Sequence, residues 1–159
     1  MIVVSNATPL IALDNINRLK LLYTLFGKIY IPLAVYNDVF VKGVGKHRIP
    51  ELEDWIIKET ISDIDKLESL KRILDPGEAE AIILAQEIKA DLLLIDENKG
   101  YRKAKDIGLS VMRTATVLLT AYKKGYISDL KRELNALKDK GFYLSEWHYQ
   151  KLLEKAKLI

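Results

Sequence analysis

Apolar positions along this chain fall into short blocks that alternate with longer stretches of helical spacing. Ile2-Val3-Val4, Lys28-Ile29-Tyr30-Ile31, Leu92 to Ile95 and Leu109 to Met112 are short, largely apolar runs that read as strands, Leu92 to Ile95 as one buried on both faces, and Ile56 to Thr60 reads as a strand or extended piece. Between them lie candidate helices. Thr8 is a cap and Pro9 an opening residue for a helix through Leu10, Ile11 and Leu13. Arg18 to Phe26 stops at Gly27, and Pro32 opens a helix holding Val35, Val39 and Phe40. Glu51 to Trp55 and Asp63 to Leu74 follow as a short helix and a charged one, and Thr114 to Lys124 runs to a stop at Gly125. Two more helical stretches occupy residues 128–159, the last capped by Ser145. Strands alternating with helices predict an α/β fold built on a parallel sheet, with a helical C-terminal tail. At 159 residues, one domain is expected, long enough to bury a sizeable core.

The most informative stretch is LDPGEAEAIILAQEIKADLLLID, from Leu74 to Asp96. Asp75 suits an N-cap, Pro76 the first helical position, and Glu78 the third, the signature of a capping box. Ala81, Ile82, Ala85 and Ile88 then recur at helical spacing before the apolar run that ends on Asp96. In a parallel sheet, strands end and helices begin on one edge, where ligands bind. Glu78 at a helix start and Asp96 at a strand end are therefore expected on one rim, with Asn6 after the first strand beside them. Asp38 lies in the helix after Pro32, as either a solvated edge or a group aimed at the same rim.

Charge adds a second pattern. The net charge is only +3, but residues 1–50 carry 6 basic and 2 acidic side chains, residues 51–100 carry 6 and 14, and residues 101–159 carry 13 and 6. An acidic middle between basic ends suits a cation site flanked by phosphate-binding surface, or simply solvated helices. The segment Glu97 to Lys105, directly after Asp96, is rich in lysine and arginine. Lys42, Lys46, His47 and Arg48 sit in a glycine-containing loop, Val41 to Pro50, which has neither P-loop nor GxGxxG spacing. No cysteine is present, which excludes disulfides and thiolate chemistry. No apolar run approaches the roughly 18 residues of a membrane span, and Met1 to Val4 is too short for a signal peptide, so a cytoplasmic address is expected.

Carboxylates gathered on one rim repel one another unless a cation compensates them. Mg²⁺ and Mn²⁺ take oxygen ligands and retain water, which suits water attack on a phosphodiester. Each acid also has a plain structural reading: Glu78 as a capping-box partner, and Asp96 and Asn6 as turn residues. Glu80 is about 200° around the helix from Glu78, so the two cannot face one metal. Thr114 and Thr116, near a helix start, could hold a water or phosphate or act as caps. His47 and His148 have no zinc-ligand spacing, and no Gly-x-Ser-x-Gly elbow is present.

At these residues the chain resembles the PIN-domain family, in particular the prokaryotic PIN-like branch related to VapC-type toxin nucleases. The resemblance is carried by VVSNATPLIAL (Val3 to Leu13), IPLAVYNDVF (Ile31 to Phe40), the Leu74 to Asp96 stretch and GFYLSEWHYQKLL (Gly141 to Leu153). It implies a three-layer α/β/α fold and four positions that bind Mg²⁺ or Mn²⁺ for RNA cleavage: Asn6, Asp38, Glu78 and Asp96. Asn6 departs from the aspartate usual there, so a neutral oxygen replaces a charged one. The resulting expectation is a metal-dependent endoribonuclease, a candidate toxin of a toxin–antitoxin pair, with Lys99, Arg102 and Lys103 contacting RNA phosphates. The alternative is a catalytically weak PIN-like module that binds RNA or a protein. A doubly wound nucleotide-binding domain is a third option, disfavoured by the missing glycine fingerprints. RNA, an antitoxin protein and a second copy of the chain, the last two through Phe142 to Leu153, are the partners expected.

Overall fold

A computed structural model describes residues 1–45 and 47–159. Lys46 of the expected basic loop lies outside the described residues. Five strands form one parallel sheet: β1 (Val3–Ser5), β2 (Ile29–Pro32), β3 (Ile56–Glu59), β4 (Leu92–Leu94) and β5 (Val111–Met112), in the order β3-β2-β1-β4-β5. Val3 pairs with Ile29 on one side and Leu92 on the other, so the central strand is flanked by two equally apolar neighbours. Chain order runs outward from β1 to β3, then resumes on the opposite side with β4 and β5. The strand order therefore reverses between β1 and β4. In open α/β sheets, the crevice beyond the carboxyl ends of the strands at such a reversal is where ligands bind.

The period of two along each strand divides the core between the two faces. Val3, Ile29, Ile31, Leu92 and Leu94 face one layer, with α1 (Ala7–Asn15), α2 (Lys20–Phe26), α7 (Thr114–Lys123), α8 (Leu130–Asp139) and α9 (Glu146–Lys155). Val4, Leu93 and Ile95 face the other, with α4 (Ile64–Leu70), α5 (Pro76–Glu87) and α6 (Asn98–Asp106). This is the expected three-layer architecture. Helix α5 buries Ala79, Ala81, Ile82, Ile83, Leu84 and Ala85, which leaves it apolar almost all round. The C-terminal helices contribute Leu130, Leu134, Leu137, Leu152 and Leu153 to the first core. Arg18 ties the α1–α2 junction to α8 by donating Nε–H to Glu133 Oε1 at 2.8 Å.

Several local expectations change in the folded chain. Thr8 is not the cap of α1. The Asn6 N–H donates to Leu94 O at 2.9 Å, which carries the strand pairing to Asn6 and starts the helix at Ala7. Glu51 to Trp55 is a bend and turn instead of a helix, because Trp55 O accepts from the Ile29 N–H at 2.9 Å as the segment runs into β3. The helix after Pro32 is α3 (Leu33–Tyr36) followed by a π-helical turn over Asn37–Lys42 that contains Asp38. Such turns are rare and recur at functional sites. Helix α4 ends at Leu70, earlier than the charged pattern to Leu74 indicates.

Candidate metal-binding rim

The carboxyl ends of β1 and β4, the start of α5 and the π-helical turn meet at the strand reversal. The capping of α5 is half of what its sequence signature describes. Asp75 accepts the Glu78 N–H at 2.8 Å, as an N-cap should. The Glu78 side chain does not complete the box; it is buried and turned toward α6, where its Oε2 lies 3.0 Å from the point a β-carbon on Gly100 would occupy. Any side chain at Gly100 would push the Glu78 carboxylate and the tip of Ile95 out of this position. Glu80, on the far side of α5, accepts the Ala34 N–H at 3.2 Å and belongs to the start of α3.

Gly77 marks the centre of the other half of the rim. A β-carbon there would lie 3.3 Å from Asp38 Oδ2 and 3.5 Å from both Asn6 Oδ1 and Asp75 Oδ1. Three oxygens from three different segments thus converge on one point, and the bare α-carbon keeps it open. Asn6 is buried, and its side chain makes no capping hydrogen bond, so the turn-residue reading is not realised. Asp38 is half-buried, with its Oδ2 on the Gly77 side of the rim. Asp75 was legible only as a cap; its second role beside Asp38 depends on a contact between distant segments that no local pattern carries.

Asp96 is held differently. Its Oδ1 accepts the Thr114 N–H at 3.0 Å and its Oδ2 accepts the Thr114 hydroxyl at 2.6 Å. Arg113 donates to the Asp96 carbonyl and, at 3.0 Å, to Asn98 Oδ1. Thr114 therefore neither caps its own helix nor stands free for a phosphate. It clamps Asp96 across the first turn of α7, whose amino end favours the negative charge.

The electrostatics follow from this placement. Burial, then the adjoining Asp75 carboxylate, push the Glu78 carboxyl up to about 8, with Glu97 adding to the rise and Lys99 opposing it. Burial and Asp75 also raise Asp38, against Lys42. Burial raises Asp96, while Thr114 and Arg113 pull the other way. Lys99 lines a pocket of about 380 Å³ with Asp75, Glu78 and Glu97. Arg102 is exposed and Lys103 half-buried one turn further along α6. His47 pairs with Asp14 at 2.6 Å, and His148 sits at 2.8 Å from Ser145 Oγ, both away from the acids.

Carboxylates whose proton affinity is raised by burial and, at Asp38 and Glu78, by a neighbouring acid, with an amide oxygen beside them, are a donor set that suits a hard divalent cation. Among the described residues no three His, Cys, Asp or Glu side chains are drawn into a ready-made cage. Mg²⁺ does not require one, since it is commonly held by one or two carboxylates with waters and substrate phosphates completing its shell. The donors present fit such an ion.

An open parallel sheet with its acids collected at the strand reversal places the chain among α/β domains whose rim handles charged ligands. A family model described as a PIN domain matches residues 2–158, and the chain belongs to the PIN-domain family, a nuclease-type fold. No curated protein and no solved structure matches the chain. Among the described residues, no helix is long and apolar enough to cross a membrane.

Proposed function

We propose that this protein is a metal-dependent endoribonuclease that hydrolyses RNA phosphodiesters at the rim formed by Asn6, Asp38, Glu78 and Asp96. The observation that carries the reading is the convergence of Asn6 Oδ1, Asp38 Oδ2 and Asp75 Oδ1 on the open side of Gly77, one residue from Glu78. Asp38 and Glu78 hold the cation, Asn6 adds a neutral oxygen, and Asp96 presents a carboxylate already oriented by Thr114. Mg²⁺ or Mn²⁺ bound there would neutralise phosphoryl charge and make a water acidic enough to attack. Asp75, beside both Asp38 and Glu78, supplies part of the negative charge that Asn6 lacks. Lys99, Arg102 and Lys103 follow the rim on α6 and meet RNA phosphates.

A catalytically weak module that binds RNA or protein is the second reading, favoured by the neutral amide at residue 6. A toxin role, with an antitoxin as partner, extends the first reading. Calorimetry with Mn²⁺ on the wild type and on Asp96→Asn, alongside cleavage of a mixed RNA pool, separates the two. Metal-dependent cleavage lost in the variant supports the nuclease. A chain that neither binds Mn²⁺ nor cuts RNA, even as Asn6→Asp, leaves only the binding module.

A further inference from the structure

A cavity of about 940 Å³ begins at Asp96 and Glu97 and runs away from the other acids, between the end of β5 and helix α9. Hydrolysis at the rim does not use it. Two aromatic rings stand open on its far wall: Tyr143 is 84% exposed and Trp147 is 64% exposed. Side chains of this size are ordinarily drawn against a core. Trp147 has instead His148 edge-on at 5.0 Å between ring centroids, and the Lys151 ammonium 5.5 Å from its ring centre.

The charges of the groove are arranged in sequence. Its mouth holds Asp96 and Glu97, where a cation belongs. Arg113 stands beside that mouth, donating to the Asp96 carbonyl, and the remaining basic lining is Lys151 and Lys155. Arg113 is stacked 4.0 Å over the Tyr101 ring, so its guanidinium is fixed in place. Lys151 lies 3.4 Å from Glu154, an exposed pair that salt and a competing phosphate readily replace. Open ring faces interleaved with cations are what a single strand of nucleic acid requires: stacking for its bases and positive charge for its backbone.

We propose that this groove carries the single-stranded segment of an RNA next to the phosphodiester at the rim, its bases stacked on Tyr143 and Trp147 and its phosphates met by Arg113, Lys151 and Lys155. The direction of the strand rests on the nuclease reading; the binding does not. An RNA fits better than a peptide because one polymer must both cross the acidic mouth with its metal and follow the cations beyond it. Stacking accepts every base, so the groove selects single strands over duplexes more than one sequence over another.

The test uses the full chain in EDTA with a fluorescein-labelled 12-nucleotide single-stranded RNA, read by anisotropy, the oligonucleotide being checked as intact afterwards. Tyr143→Ala and Trp147→Ala are each expected to weaken binding about tenfold, with Trp147→Phe retaining most of it. Replacing Lys151 and Lys155 by alanine should lower the slope of log affinity against log salt by about 1.4. A duplex of the same sequence should compete poorly. Both aromatic residues are exposed, so an unchanged melting temperature separates loss of contact from loss of fold. Absence of RNA binding, equal competition by duplex, or unchanged binding in both aromatic variants overturns the proposal. A wild type that cuts RNA with Mn²⁺ while both aromatic variants bind and cut equally well removes the groove and leaves the nuclease. A wild type that binds through Tyr143 and Trp147 but never cuts keeps the groove and removes the nuclease.

Discussion

Glu78 and Asp96 lie on the same rim, and burial raises the proton affinity of both, yet the protein treats them in opposite ways. Asp96 receives two donors from Thr114, a helix amino end and a nearby guanidinium, so its charge is compensated by the fold itself. Glu78 sits against Asp75, with Asp38 and Asn6 beyond it, and its strongest influences all favour the proton. One acid has donors to its charged form built into the fold, which oppose the rise that burial imposes. The other waits for a cation. On the proposed nuclease function, a rim built this way would hold its metal around Gly77 and use the Asp96 end as a fixed reference for substrate and water.

That contrast breaks most sharply under charge removal. Glu78→Gln and Asp38→Asn should each reduce Mn²⁺ affinity and RNA cleavage at least about a hundredfold, because they remove the charge of a ligand itself and not merely a support of one. Asp96→Asn should also lose cleavage. The stability effects should differ in sign: calorimetric melting without metal should show Glu78→Gln stabilised above pH 8, and Asp96→Asn destabilised by about 1.5–3 kcal/mol as a charge-assisted hydrogen bond is lost. Equal signs would show that the two acids are not held differently.

Thr114→Val should come next. It leaves one side of a buried carboxylate without its hydroxyl donor, costing about 1–3 kcal/mol in denaturant titration and lowering RNA cleavage with little change in Mn²⁺ affinity. The Asn6→Asp variant adds charge where Asp38 and Asp75 already crowd. It should raise Mn²⁺ affinity roughly tenfold by calorimetry while lowering the melting temperature of the metal-free chain.

The pH dependence sharpens the same point. Glu78 holds its proton in the folded chain up to about 8, against an ordinary value of 4.5. Between these values the unfolded chain binds fewer protons than the folded one, so raising the pH favours unfolding, and the loss levels off above the upper value. Metal-free wild type should therefore lose stability across this window in urea titrations, and Glu78→Gln should flatten the decline. The smallest effect belongs to Gly77→Ala. Its backbone is ordinary helix, so the entropic gain of about 0.4–1 kcal/mol is offset by the close contact of the new methyl with Asp38, leaving the melting temperature nearly unchanged while Mn²⁺ binding weakens.

Much of the fold was legible because it is written in local chemistry. The cap and proline before α5, the apolar run of β4, the glycines that stop α2, α6 and α7, and Ser145 before α9 all act within a few residues. The misreadings came where a distant partner overrode a local preference. Leu94 O draws Asn6 into the sheet and moves the start of α1 ahead of Thr8. Ile29 holds Trp55 and keeps Glu51 to Trp55 from becoming a helix. The capping box at α5 failed for the same reason, since the Glu78 carboxylate is placed against Gly100.

Hydrophobic period, caps and stops thus determined by themselves that the chain alternates strand and helix, and that Asn6, Glu78 and Asp96 fall at element ends. Those signals depend on neighbours a turn or a strand position away. Tertiary structure alone decided that the strand order reverses between β1 and β4, that Asp38 and Asp75 share the space beside Gly77, and that Thr114 clamps Asp96. Each of these joins segments far apart in the chain, and only the burial of both faces of the sheet brings them within hydrogen-bond and Coulomb range.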